Sequence, residues 1–340
     1  MRKISVLLFL LITVYMSFDC FSKGQNNFDS NKESFKDKYI GDIDYNKYPF
    51  LKTDLKDDEK IKNDKYVGTS DSVYGKNGFI YHITGVEDKI LKNEKFVPDE
   101  WYKMAVDKMV ELDELAKSQG KEVYFLLLPW KDLVYEENLP DEYKVKYNDE
   151  SDMDRYYKYV KENSKVKFFY PLNELKEEKK YLRTYYTIDS HWNKPSGFLM
   201  TQILYNEMGM NIKKLSDCDY TIDEASSYGK YDYIIDYNGK AELIEEKIHG
   251  VDRPNSNTIE AKSDSNNDKT ITIIGDSFRF WIYDVLKYDF KNTNAINRGT
   301  LGGNIQPTII KNSDVIIIET VTDYYYDIIK TIMNVINMLK

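Results

Sequence analysis

Thr270-Ile271-Thr272-Ile273-Ile274-Gly275-Asp276-Ser277-Phe278 is a β-branched run that breaks off at a Gly-Asp-Ser turn. The spacing predicts a buried strand over 270–274 and a helix over 278–286 directly after the turn. A sharp strand-to-helix turn lifts a hydroxyl clear of a sheet and aims unpaired backbone N–H groups at whatever it attacks. In that reading Gly275 allows the tight turn, Ser277 is the nucleophile, and the Ser277 N–H is one oxyanion donor. The simpler reading is that Asp276 or Ser277 only caps the next helix.

A serine nucleophile needs a base, and the 340 residues contain three histidines. One of them lies in Tyr185-Tyr186-Thr187-Ile188-Asp189-Ser190-His191-Trp192, two residues after an aspartate. An aspartate that holds an imidazole in one tautomer, beside a histidine that takes a proton, supplies two members of a nucleophilic triad. A histidine next to a tryptophan is also commonly a structural group. A metal at Asp189 and His191 would need a further ligand, and neither His82 nor His249 has metal-motif spacing.

Outward from the turn, apolar strands alternate with helices. Helices are predicted over 98–118, 152–163, 171–180, 195–208 and 326–339. Strands are predicted over 123–128, 166–170 and 315–318. That alternation predicts an α/β domain with a mostly parallel sheet. Asn77-Gly78 marks a tight turn ahead of the apolar Phe79-Ile80-Tyr81. Residues 231–236 and 241–245, on either side of Asn238-Gly239, read as a small inserted hairpin, and 255–268 as a surface loop.

At the N-terminus Arg2 and Lys3 precede an uncharged, largely apolar run from Ile4 to Phe18, the length of a signal-peptide core. Residues 1–22 therefore read as a signal peptide cleaved after Ser22 or, alternatively, as an uncleaved anchor, and the rest of the chain as exported. Residues 23–70 read as an exposed polar linker and 71–340 as the folded domain. Without the leader only Cys218 remains, so the fold has no disulfide to lean on. The net charge of −9 argues against nucleic acid and polyanionic partners. The 30 tyrosines reflect either compositional bias or faces for stacking sugar rings.

Several stretches, in order, resemble the alginate O-acetyltransferase group of AlgJ/AlgX-like proteins, also called the DHHW family, which are SGNH-hydrolase-like. Gly75-Lys76-Asn77-Gly78-Phe79-Ile80-Tyr81 resembles the family's opening stretch. Leu128-Pro129-Trp130-Lys131 with Val134 to Pro140 resembles its Pro-x-x-Lys segment. Asp189-Ser190-His191-Trp192 resembles the signature, and Gly275-Asp276-Ser277-Phe278 the nucleophile turn. Leu301-Gly302-Gly303 and Val315 to Glu319 resemble later segments. The similarity runs over roughly residues 74–325. It departs at Glu319-Thr320-Val321-Thr322-Asp323, which lacks the family's arginine.

The resemblance implies an SGNH-like three-layer fold with Ser277 as nucleophile, His191 as base and Asp189 as its orienter. It further implies transfer of acetyl groups onto hydroxyls of an exported polysaccharide, with acetyl supplied by a membrane-bound O-acyltransferase and with no cofactor or metal. Lys131 becomes a residue of the site's shell, and Arg298, Gly303 and Asn304 become oxyanion or acyl contacts. The chain ends at Lys340, leaving little room for the extra carbohydrate-binding module of some relatives. Glycan capture is then expected from Tyr185, Tyr186, Trp192 and the Tyr324-Tyr325-Tyr326 cluster. The acidic chain favours a neutral or aminated acceptor such as a cellulose-like glucan. A carbohydrate acetyl esterase of the same fold, or a non-catalytic glycan-binding component, are the alternatives.

Overall fold

The computed structural model describes residues 33–51, 72–82, 97–144, 151–223, 232–249, 258–321 and 327–340. The expected leader, most of the expected linker and Tyr325 lie outside the described residues.

The strands, in chain order, are β1 Ser72–Tyr74, β2 Ile80–His82, β3 Glu122–Leu128, β4 Lys167–Phe169, β5 Cys218–Asp223, β6 Asp232–Tyr237, β7 Leu243–His249, β8 Thr258–Ser263, β9 Thr270–Gly275, β10 Asn292–Asn297 and β11 Val315–Val321. The main helices are α1 Asp99–Ser118, α2 Asp152–Asn163, α3 Leu172–Glu178, α4 Lys194–Glu207, α5 Arg279–Asp289, α6 Gln306–Asn312 and α7 Asp327–Leu339. Seven strands form the central sheet in the order β4-β3-β11-β9-β10-β8-β7. From β4 to β10 every neighbour is parallel, and β8 and β7 complete the sheet antiparallel.

Strand periodicity separates two cores. Tyr124, Leu126 and Leu128 of β3, with Ile271, Ile273 and Ile317, face α4 and α5. Val123, Phe125 and Leu127, with Ile316 and Ile318, face α1, α2, α6 and α7. Ile328, Ile332, Val335, Ile336 and Leu339 of α7 are all buried, each such side chain contributing about 1.5–3 kcal/mol of transfer free energy. The domain is thus the three-layer α/β fold with a mostly parallel sheet that the sequence predicts. Gly197 lets α4 and α5 come close, since a Cβ there would stand 2.3 Å from Trp281 Cβ. The Asn77-Gly78 turn joins β1 to β2, and both residues have positive φ, at 55° and 76°.

Three expectations need correcting. A small antiparallel pair exists, but it joins β5 to β6, whereas residues 243–249 enter the central sheet against β8. Within the expected 255–268 loop, Thr258–Ser263 is a strand of that sheet, and β10 was not foreseen at all. Residues 36–51, read as exposed linker, place Tyr39, Ile40, Tyr48 and Leu51 in buried positions. Ile40, Tyr48 and Leu51 share a third apolar cluster with Tyr220, Tyr233 and Tyr237 of the small pair.

Candidate active site

The C-terminal ends of parallel strands carry the loops of an α/β site, and β9 delivers Ser277 there. Gly275 is needed because β11 approaches closely: a Cβ on it would lie 2.0 Å from Glu319 Oε2. Phe278 is the N-cap of α5 and no side chain caps that helix, so neither Asp276 nor Ser277 has the expected capping role. The Asp276 carboxylate accepts the N–H groups of Phe278 and Val321, each at 3.0 Å, and ties the turn down. The Ser277 hydroxyl faces His191, with Oγ 2.6 Å from Nε2. The Arg279 guanidinium donates to the Asp276 carbonyl.

His191 arrives on a narrow loop. Tyr185 and Trp192 form a bridge, and Tyr186 N–H donates to the His191 carbonyl at 3.1 Å. Asn193 then caps α4 by accepting from Ser196 N–H at 3.2 Å, so the helix starts immediately after the loop. Asp189 Oδ1 lies 2.5 Å from His191 Nδ1 and also accepts the His191 N–H at 2.8 Å. With Nδ1–H committed to Asp189, Nε2 is left to accept from Ser277. Asp189, His191 and Ser277, the last of them 86 positions beyond the histidine, form one hydrogen-bonded line. The Phe278 and Trp281 rings flank the imidazole, at 4.8 and 5.2 Å between centroids.

Lys131 sits behind the loop, buried, with Nζ donating to the carbonyls of Tyr186, Thr187 and Asp189 at 3.3, 3.0 and 2.7 Å. Its ammonium also lies over the Phe79 and Tyr81 rings. Arg298 Nε is 3.8 Å from Asp276 Oδ2 and NH1 is 2.5 Å from Asp327 Oδ2. Its charge is therefore directed at two carboxylates, one of them on the turn that carries Ser277. Gly303 N–H is likewise taken, by Gln306 Oε1 at 3.0 Å, and Asn304 is exposed on the same turn. Among the described residues nothing accepts the Ser277 N–H, so it is available to donate to an oxygen bound at this turn.

The expected sugar platforms do not hold. Tyr185, Tyr186 and Trp192 are 0, 2 and 0% exposed, so no ring face among them meets solvent. The Tyr185 hydroxyl donates to the Pro129 carbonyl at 2.5 Å, which fixes the inside of the loop. Glu319, at the end of β11, escaped sequence reasoning as a site residue. Its Oε2 accepts Asp276 N–H at 3.0 Å. Burial first, and then the Asp276 charge, push its carboxyl well above the usual range. Trp281 was missed as well, although its position one helical turn past Ser277 is a signal that helix periodicity carries.

No family model and no curated protein matches the chain. Solved structures do. PatB1 of Bacillus cereus carrying a sulfonyl adduct is 16% identical, with a TM-score of 0.55, over 69% of this chain and 94% of that one. A further structure of Bacillus cereus PatB1 is 14% identical, with a TM-score of 0.55, over 73% and 95%. A DHHW family protein from Eubacterium siraeum is 13% identical, with a TM-score of 0.52, over 68% and 88%. At these identities the likeness is one of architecture, and the chain has the fold of PatB1 and of the DHHW family protein.

Proposed function

We propose that the protein is a serine O-acetyltransferase of the AlgJ/AlgX-like DHHW family, acting on hydroxyl groups of an extracellular polysaccharide. The single observation that carries this is the Asp189–His191–Ser277 line, with both of its hydrogen bonds formed. The shared fold with a DHHW family protein and with PatB1, which has been seen with a sulfonyl adduct, supports the same reading.

In the first half-reaction Ser277 Oγ attacks the acetyl carbonyl of the donor while His191 Nε2 takes its proton. The oxyanion forms against the Ser277 N–H, and Asp189 stabilises the imidazolium from the Nδ1 side. Collapse breaks the bond to the leaving group, which receives the proton from Nε2, and leaves acetyl-Ser277. In the second half a sugar hydroxyl gives its proton to Nε2 and attacks the acetyl carbonyl; collapse breaks the bond to Ser277 Oγ, which takes the proton back from Nε2, and the sugar leaves acetylated. A membrane-bound O-acyltransferase is the proposed acetyl supplier, and residues 1–22 the proposed export signal or anchor. Among the described residues no helix is long and apolar enough to cross a membrane.

The test is to incubate the protein with an activated acetyl ester, with and without neutral glycan oligomers, and weigh the sugars. Acetylated oligomers that vanish with Ser277→Ala support transfer. Ser277-dependent acetate release with no acetylated sugar would replace the transferase reading with an esterase.

A further inference from the structure

A cavity of about 270 Å3 opens between α4, α5 and β6. Its wall includes Trp281, Asp284 and Tyr288 from α5, Ile234 from β6, Lys240 just beyond β6 and Lys194 at the start of α4. Two of these tie it to the triad. The Trp281 ring stacks on the His191 imidazole at 5.2 Å and 27°, and Lys194 follows His191 by three positions in the chain. Trp281, 4% exposed, is thus shared between the groove wall and the packing around His191.

The chemistry of the wall selects the ligand. Ile234, 49% exposed, offers apolar surface beside the Tyr288 ring, over which the Lys240 and Lys287 ammonium groups lie at 5.4 and 5.5 Å; apolar surface next to hydrogen-bonding groups is the combination that a pyranose ring with its C–H face and rim of hydroxyls requires. Of the three lysines in the wall, Lys240 lies 2.5 Å from Asp236, and Lys287 lies 3.1 Å from Asp284 and 3.5 Å from Glu246. These pairs present hydrogen-bond donors and acceptors whose charges are locally balanced. A polyanion would compete with these carboxylates for the lysines. The volume is small beside the roughly 300–1,000 Å3 of typical ligand pockets, so the groove holds a short segment of a polymer.

We propose that this groove is the acceptor subsite, and that it takes a one- or two-sugar segment of an uncharged polysaccharide whose free hydroxyl is then presented at Ser277. The proposal rests on the transferase reading and gives it a substrate class. It also moves sugar recognition away from the buried Tyr185 and Tyr186 to the wall that includes Trp281.

Binding is measured by calorimetry on the full chain carrying Ser277→Ala, so that no turnover intervenes. The probes are cellohexaose, laminarihexaose and chitohexaose, with an oligogalacturonate of the same length as the acidic comparison. At least one neutral hexasaccharide is expected to bind. Asp284→Ala and Ile234→Arg are each expected to weaken that binding at least about fivefold, an effect of the size seen at well-packed contact residues. Ile234→Arg lies at an exposed strand position, and melting curves show whether either variant is folded. Failure of every neutral probe to bind, equal affinity in the two folded variants, or tighter binding of the oligogalacturonate would each overturn the proposal. Reactivity of Ser277 toward an acetyl ester is read separately on the unsubstituted protein, so loss of the transferase reading and loss of the groove proposal give different results.

Discussion

Glu319 Oε2 accepts the backbone N–H of Asp276 at 3.0 Å, directly beneath the residue that carries the nucleophile turn. The same oxygen is what a Cβ on Gly275 would strike, at 2.0 Å. A buried carboxyl group on β11 is therefore the floor on which the end of β9 rests. Glu319→Gln keeps an oxygen acceptor of the same shape and is expected to retain most of the activity. Glu319→Ala and Gly275→Ala are expected to lower kcat by about 10²-fold, the cost of displacing a reacting group by about 1 Å. Steady-state kinetics on the folded variants check this, with KM changing little.

Lys131 holds the loop that orients the base. Its three carbonyl contacts and two ring contacts leave the ammonium buried but solvated by protein dipoles. Lys131→Met keeps the aliphatic stem and removes every charge-assisted bond. It is expected to cost ~2–5 kcal/mol of stability and to lower kcat, because Asp189 loses its fixed backbone. Urea unfolding and ester turnover measure the two effects.

Glu178 on α3 is fully buried, with Ser196 donating to Oε2 at 2.9 Å. Burial raises its carboxyl to about 8, the Ser196 hydrogen bond opposing that rise. In the unfolded chain the group ionises near the ordinary value of about 4.3. The folded state thus binds the extra proton between these values. This contribution to stability is fully present below about 4.3, is lost as pH rises toward about 8, and is constant beyond. Glu178→Gln, which is neutral at every pH, is expected to gain stability over the natural chain by an amount that grows across this window, on the order of a few kcal/mol at its alkaline end. Melting temperatures of both proteins from pH 4 to 9 test the sign, with the two curves meeting at the acid end.

A sulfonyl fluoride is expected to label Ser277 and to fail with His191→Ala, because a serine hydroxyl reacts at a useful rate only when a base takes its proton. Peptide mapping after treatment checks both the position and the dependence on His191.

The parts of this architecture that were readable are those where local chemistry and fold agree. The β-branched run ending at Gly275-Asp276-Ser277, the helical spacing of Trp101, Ala105, Met109 and Leu112, and the Asp189-x-His191 pair each carry one consistent signal. Where tertiary context overrides composition, the reading fails. β10 contains Asn292, Asn294 and Asn297, a residue type depleted in strands. Yet Asn294 is buried there because its side chain donates to Thr272 Oγ1 at 3.0 Å on the neighbouring strand. β8 alternates Ile259 and Ala261 inward, but a single alanine amid Glu, Lys and Ser is a weak apolar signal. Tyr185, Tyr186 and Trp192, expected at the surface as glycan-binding rings, are buried. Residue type does not reveal that the loop is lined from within.

The central claim is that Ser277 carries the acetyl group between donor and sugar. Rapid mixing with an activated acetyl ester, acid quenching and peptide mass analysis read it directly. The account predicts one acetyl group on the peptide containing Ser277, its loss when a neutral glycan oligomer is added, and its absence in Ser277→Ala. Ester turnover that persists unchanged in Ser277→Ala, with no acetyl on that peptide, would contradict it.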